Sequence, residues 1–559
     1  MEIYSLITNG LIFLLIAVLI RHSLYRLRFF LHMYQQNGYK LNEMAGWLST
    51  HLISRVITSE HLFYNILILA MFYYIAERIT LTTGSLIMGV FTLFWFIDTS
   101  IYKAEQEKKP LIFTARMKRL TAFITIPLIA LWFFTIDFGF YILPLREFAG
   151  PFVNADPYFL AFSLVLIDML IPIFLLIGGG LIQPIENLIQ NGFKKKARKK
   201  IASLPNLKIV AITGSYGKTS TKFAINALLK ERFQVCVTPG SFNTPMGICK
   251  VINNDLNAQH EVLILEMGAR YEGNIKELCE IARPDISVIT NIGVAHLETF
   301  GSLEAIAREK SSLATELKST GTLILNGDDP QVKKIESLRN DVKTIITGKN
   351  GTVQADNVRV DSDGTSFTLK ITSKKDPLAD EVEIKTQLLG EHNIQNLLLA
   401  AAVANEFNVR PRTMAIAASK MEPVEHRLEL KHRNGLTVID DAFNSNPVGA
   451  KNAVDLLSSF PGGRKILITP GMIELGEIEE SENKLLGQYI GKLNIDLVIL
   501  VGDERTKPIL SGIQESDTAQ SIQIEVVDSL FDANRLLKEY TQAGDVVLYE
   551  NDLPDSLEI

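Results

Sequence analysis

Cysteine is scarce in the 559-residue chain: Cys236, Cys249 and Cys279 stand apart, odd in number and with no CxxC pair. That speaks against a disulfide framework and against a zinc site, and points to a reduced, cytosolic setting for their region. Net positive charge is lacking too. Lys and Arg number 56 against 62 Asp and Glu, a balance of −6, so global charge gives a nucleic-acid partner no support. No internal repeat or low-complexity tract breaks the chain. The first apolar run has neither a basic leader nor a small-residue cleavage site, and further apolar runs follow it, so a cleaved signal peptide is not expected.

What the first 184 residues do have is long apolar runs. Five stretches, 3–20, 62–79, 81–97, 120–143 and 158–182, approach the roughly 20 residues that a helix needs to cross a bilayer. The short polar break Glu77-Arg78 leaves the count at four to five. Basic residues follow the first run (Arg21, Arg26, Arg28, Lys40, Arg55), the third (Lys103, Lys108, Lys109, Arg116, Lys118, Arg119) and the fifth (194–200). Placing all three segments inside predicts a multi-pass protein of the cell membrane, N-terminus out, with lipid as a partner and the remaining domains in the cytoplasm. Asp98 reads as interfacial. Asp168, inside a run, reads either as a substrate or headgroup contact or as a hydrogen-bonded structural residue.

The second half reads as α/β sequence. Residues 207–212 form a β-branched apolar run that leads into Thr213-Gly214-Ser215-Tyr216-Gly217-Lys218-Thr219-Ser220 and then a helical pattern. Strand, glycine-rich turn and helix N-terminus make a phosphate cradle: backbone N–H groups and Lys218 face the phosphates and Thr219 offers a hydroxyl to Mg²⁺. The spacing departs from GxxxxGK[ST], because position 212 is Ile. Two further buried strands end at Glu266 and just before His296. Ligands gather at the carboxyl ends of parallel strands, so these two are candidate metal ligands beside the loop.

The order of motifs resembles the Mur ligase family, ATP-dependent ligases that join an amine to a carboxylate through an acyl phosphate. The family's T-G-x-x-G-K-[ST]-[ST] loop matches from Thr213 to Ser220. The similarity continues through 243–247, 266–269, 291–296, 301–310, 326–329 and 390–396, then 425–428, 439–447 and 471–476. The last two motifs are most similar to the D-alanyl-D-alanine-adding branch. The resemblance implies ATP and Mg²⁺ as cofactors, with Gly214, Ser215, Tyr216, Gly217, Lys218, Thr219 and Ser220 on the phosphates. It implies Thr219, Glu266, His296 and, if carbamylated, Lys310 at the metal, with Lys218, Lys310, His296 and Arg427 as catalytic residues. Asn326, Asn393 and Asn396 fall on the adenine side, Arg427 and Asp441 reach the γ-phosphate and ribose, and Asn243, Asn444 and Asn446 fall on the substrate side.

The expected architecture is an α-helical membrane domain (1–184), a basic linker (185–206), a P-loop central domain (207–425) and a Rossmann-like C-terminal domain (426–559). A small antiparallel insert is expected around 365–371 and 381–386. Two departures stand out. Residues 183–206 alone separate the last apolar run from the first strand, so the family's UDP-sugar-binding domain is expected to be replaced by the membrane bundle. The Lys-Gly-Ser-Arg-like segment of the branch reads Tyr549-Glu550-Asn551-Asp552 here, acidic where cations would meet a substrate carboxylate. The expected function is a membrane-anchored amide ligase of peptidoglycan precursor synthesis, joining an amino acid or dipeptide to a UDP-muramyl or lipid-linked carboxylate. The alternatives are a Mur-type ligase for another envelope polymer, and a nucleotide-regulated membrane scaffold or transporter.

Overall fold

The computed structural model describes residues 2–52, 56, 90, 92–97, 99–102, 111–141, 156–361, 364–373, 376–433, 435–442, 445–516 and 522–551. They fall into two compact units, Met1–Ile189 and Gln190–Leu553.

The first unit is helical. Helices Glu2–Gln36, Leu41–Thr50, Ala115–Tyr141 and the first part of Asp156–Ala202 share a core that includes Phe30, Met33, Met44, Met117, Leu120, Ile124 and Leu175. Gly179 permits a close approach: a Cβ there would sit 2.8 Å from the Tyr34 hydroxyl and 2.9 Å from Leu41. Inside this unit Arg26 Nη1 donates to Asp168 Oδ2 at 2.6 Å, with His22 Nε2 3.6 Å from the same oxygen and all three side chains at 1% exposure or less. Of the two readings of Asp168, the structural one is realised. An isolated buried carboxylate is costly, and the guanidinium offsets that cost.

The membrane expectation needs correction. Among the described residues one helix segment, Ile167–Ala202, is long and apolar enough to cross a membrane. Runs 3–20 and 120–143 fall largely in the helices Glu2–Gln36 and Ala115–Tyr141, and run 62–79, most of 81–97, and Asp98 lie outside the described residues. The multi-pass localisation is therefore withdrawn, and nothing among the described residues supports a membrane-lipid partner. The 194–200 run also has partners in the protein: Lys194 pairs with Glu277 at 2.6 Å and Lys200 donates to the Asn253 carbonyl at 2.9 Å.

The second unit contains two sheets. The first has nine strands: β1 (Lys208–Thr213), β2 (Val235–Val237), β3 (Val262–Glu266), β4 (Ile286–Ile289), β5 (Thr322–Asn326), β6 (Lys343–Thr347), β7 (Val353–Asp361), β8 (Gly364–Ser373) and β9 (Asp376–Thr386). Their order is β2-β3-β1-β4-β5-β6-β7-β8-β9. β1 to β6 pair in parallel, and β1, β3, β4 and β5 are buried on both faces, which is why 208–213, 262–266 and 286–289 read as near-continuous apolar runs. The strands expected as a separate insert, now β8 and β9, extend this same sheet through antiparallel pairing. The second sheet comprises β10 (Glu429–Arg433), β11 (Leu436–Asp441), β12 (Lys465–Thr469), β13 (Leu497–Val501), β14 (Gln523–Val527) and β15 (Val546–Glu550), in the order β10-β11-β15-β12-β13-β14. It is parallel except for β10 and carries apolar cores on both faces, as the alternation of strands and helices predicts.

Candidate active site

The phosphate loop joins β1 to the helix Lys218–Leu229 and is clamped to the loop after β4. Ser215 N donates to the Asn291 carbonyl at 2.9 Å, Tyr216 N to Asn291 Oδ1 at 2.7 Å and Ser215 Oγ to the Gly293 carbonyl at 2.9 Å. Gly217 must be glycine. Its φ is +75° and a Cβ would meet Asn396 Oδ1 at 2.6 Å. Lys218 turns back over the loop, its Nζ 2.8 Å from the Gly214 carbonyl and 3.0 Å from that of Ser215, and burial brings its amine down to about 8.

Glu266, at the carboxyl end of β3, is 1% exposed and lies at the centre of a bonded cluster. Thr219 Oγ1 donates to its Oε2 at 2.9 Å, Lys222 Nζ lies 3.2 Å from the same oxygen, and Asn243 Nδ2 donates to Oε1 at 3.2 Å. Lys222 also donates to the Gly240 carbonyl and is wholly buried. Sequence reasoning missed it; a lysine one turn beyond Lys218, on the core face of the helix, was the available signal. A hydroxyl and a carboxylate converging at the foot of a phosphate loop are hard oxygen donors and fit Mg²⁺.

His296 follows β4 in a left-handed conformation, φ +60°, and its Nδ1 lies 2.6 Å from Glu474 Oε2. Arg270 Nη2 donates to the other oxygen of Glu474. Burial pulls the imidazole down against the upward pull of Glu474. Lys310, on the helix Leu303–Thr315, is 3% exposed, and burial together with the neighbouring Lys218 charge brings its amine down to about 7. A neutral amine at that pH is the form that reacts with carbon dioxide. Arg427 acts electrostatically on Lys218, Lys222 and His392, and burial, followed by that charge, lowers His392 to about 4. Asp441, at the end of β11, is raised to about 7 by burial and then by Glu550, its register partner on β15. Glu550 is itself buried and accepts hydrogen bonds from Ser445 and, at 2.6 Å, Thr469.

Other expected residues are bonded within the protein. Asn396 is buried beneath the phosphate loop, its Oδ1 accepting from Thr221 at 3.0 Å and its Nδ2 donating to Asn393 at 3.2 Å; Asn393 donates to the Leu389 carbonyl at 2.8 Å. Both amides are buried and bonded within the protein, next to the phosphate loop. Asn326 ends β5 and accepts from Asp328 N at 3.1 Å. Asn446 caps the helix Pro447–Ser459, accepting from Gly449 N at 2.8 Å. Asn444 lies outside the described residues. His426, Glu429 and Asp440 gather closely enough to suggest a metal site, but Lys431 already sits 2.8 Å from Glu429 and 2.7 Å from Asp440.

Comparison with known proteins agrees with this geometry. The Mur ligase middle domain matches residues 212–404, and the Mur ligase, glutamate ligase domain matches residues 426–549. The UDP-N-acetylmuramoyl-tripeptide–D-alanyl-D-alanine ligase of Bacillus subtilis is 33% identical over 348 residues, covering 61% of this chain and 72% of that one. The ligase of that name from Mycobacterium tuberculosis H37Rv is 34% identical over 363 residues, covering 61% and 70%. Among solved structures, the MurF ligase of Thermotoga maritima in complex with ADP aligns with a TM-score of 0.57 at 27% identity, covering 65% of this chain and 80% of that one. MurF of Acinetobacter baumannii, at 23% identity and a TM-score of 0.59 over 65% and 77%, shares the fold. The chain belongs to the Mur ligase family. It is an ATP-dependent, ADP-forming ligase that uses ATP and Mg²⁺.

Proposed function

We propose that this ligase joins D-alanyl-D-alanine to the terminal carboxylate of a UDP-muramyl tripeptide, within a central domain of 207–425 and a C-terminal domain of 426–559. The observation that carries the reading is the Glu266 cluster, in which Thr219, Lys222 and Asn243 hold one carboxylate at the phosphate loop. The names of the relatives supply the substrates.

Thr219, Glu266 and His296 would hold Mg²⁺, joined by Lys310 if it is carbamylated; the metal supplies charge neutralisation at the phosphates. The N–H groups of 214–219 and the Lys218 ammonium cradle the β- and γ-phosphates, and Arg427 adds a second positive charge near Lys218. The acceptor carboxylate attacks the γ-phosphorus and the bond to ADP breaks, leaving an acyl phosphate. The amine nitrogen then attacks the acyl carbon, inorganic phosphate departs and the nitrogen loses a proton. Positioning and charge account for most of such a reaction. Excluding water protects the acyl phosphate from hydrolysis.

A second reading keeps the chemistry and changes the amine. It rests on the segment from Tyr549 to Asp552, acidic where the branch carries cations, in which Glu550 is buried and bonded to Ser445 and Thr469. Such a carboxylate repels a substrate carboxylate. One experiment separates the two: phosphate release by the full-length protein with ATP, Mg²⁺, UDP-muramyl tripeptide and D-alanyl-D-alanine, each omitted in turn, with products weighed by mass spectrometry. Release that needs both substrates and a pentapeptide product support the first reading. Turnover with the tripeptide and a different amine, and none with the dipeptide, supports the second.

A further inference from the structure

Glu474 belongs to the motif 471–476, which the reaction as described leaves without a task. It comes from the loop after β12, yet it is bonded to two residues that flank the nucleotide site. One carboxylate oxygen, Oε2, lies 2.6 Å from His296 Nδ1; the other takes the Arg270 guanidinium. Its backbone is engaged as well, the Glu474 carbonyl accepting from Glu298 N at 3.5 Å. Both His296 and Glu474 hold left-handed backbone conformations, φ +60° and +62°. Histidine tolerates that region better than most residues; glutamate adopts it at a cost that the surroundings must offset.

A carboxylate can only accept, so the hydrogen of this bond belongs to Nδ1 of the imidazole. That leaves Nε2 as the lone-pair nitrogen. Histidines that bind metals commonly donate their other ring N–H to a carboxylate, which sets both the tautomer and the ring orientation. We propose that Glu474 is a positioning residue for the metal site: clamped by Arg270, it holds His296 Nδ1 so that Nε2 is presented to Mg²⁺, and it does so only when the loop after β12 lies against the loop after β4. The C-terminal part of the protein thereby completes a metal ligand that belongs to the central sheet. The inference rests on the reading of His296 as a metal ligand.

The test uses the full-length protein saturated with a non-hydrolysable ATP analogue, with Mg²⁺ titrated calorimetrically. Glu474→Gln keeps the shape of the side chain but can donate as well as accept, so the tautomer is no longer set. Its Mg²⁺ affinity should fall about 10–100-fold, the usual effect of removing such a partner. Arg270→Gln should shift affinity the same way by less, and it serves as the readout if Glu474→Gln does not fold. In a His296→Ala background, Glu474→Gln should cost nothing further, because its effect passes through the imidazole. A purely structural Glu474 would show an additive loss there. Unchanged Mg²⁺ affinity in Glu474→Gln, beside a clear loss in His296→Ala, overturns the inference and leaves the ligand reading intact. Unchanged affinity in His296→Ala overturns both.

Discussion

Replacing Lys222 by methionine probes the centre of the site. Its ammonium lies 3.2 Å from Glu266 Oε2, and the two side chains are 0% and 1% exposed. Methionine preserves the apolar stem but takes the bonded ammonium from a buried Glu266 carboxylate that keeps its bonds to Thr219 and Asn243. Breaking a buried pair by removing one partner costs about 3–5 kcal/mol, most of it from the stranded charge. At roughly 2–4 °C per kcal/mol for a domain of this size, the melting temperature should fall by about 6–20 °C. Removing both charges in Lys222→Met/Glu266→Gln should recover most of that loss, because no isolated charge remains. The assay is thermal unfolding of the full-length protein in buffer without divalent metal, repeated with Mg²⁺ and ADP. The added ligands should raise the melting temperature of Lys222→Met more than that of wild type, since a cation at Glu266 replaces the lost charge. A single variant that melts with wild type, or a double variant whose loss equals the sum of the two singles, would refute the reasoning.

Gly217→Ala should weaken nucleotide binding by at least about tenfold in an ADP titration, since a left-handed alanine costs roughly 1–2 kcal/mol before its Cβ meets Asn396; unaltered affinity would remove the loop from the phosphate site. Lys310→Ala should lose turnover that added short-chain carboxylates partly restore, because they return the oxyanion that a carbamate supplies; a variant with no rescue would leave Lys310 a plainer role. Asp441 is raised from 3.8 to about 7, so the native state holds a proton that the unfolded chain releases across that interval. Its contribution to stability is therefore full below pH 3.8 and is lost as pH rises through 7, at most about 4 kcal/mol over the three-unit span. Asp441→Asn should flatten the decline in melting temperature between pH 5 and pH 8, and an unchanged slope would show that Asp441 does not titrate there.

The parts of the site that were legible in the sequence are the parts built by contiguous residues. Thr213 to Ser220 encodes a strand end, a turn and a helix start, and local conformation alone makes it a cradle. Glu266 and His296 were found because a buried parallel strand announces its carboxyl end by where its apolar run stops. Lys222 was not found: its place one turn beyond Lys218 was the local signal, but its partner Glu266 lies 44 residues away on another strand. The motif that holds Asn393 and Asn396 was legible as well, but their burial and their bonds to the Leu389 carbonyl and Thr221 depend on how the helix Glu391–Glu406 packs.

By itself the sequence determined the family, the phosphate loop and the two parallel sheets, because periodicity and turn chemistry act over a handful of residues. What the apolar helices of 1–184 pack on was decided in three dimensions: Arg26 meets Asp168, 142 residues away, in a buried pair that no local pattern announces. The pairing of His296 with Glu474, 178 residues apart, was decided there too. A hydrogen bond at 2.6 Å requires two loops to meet, and no local pattern records where a distant strand will leave its loop.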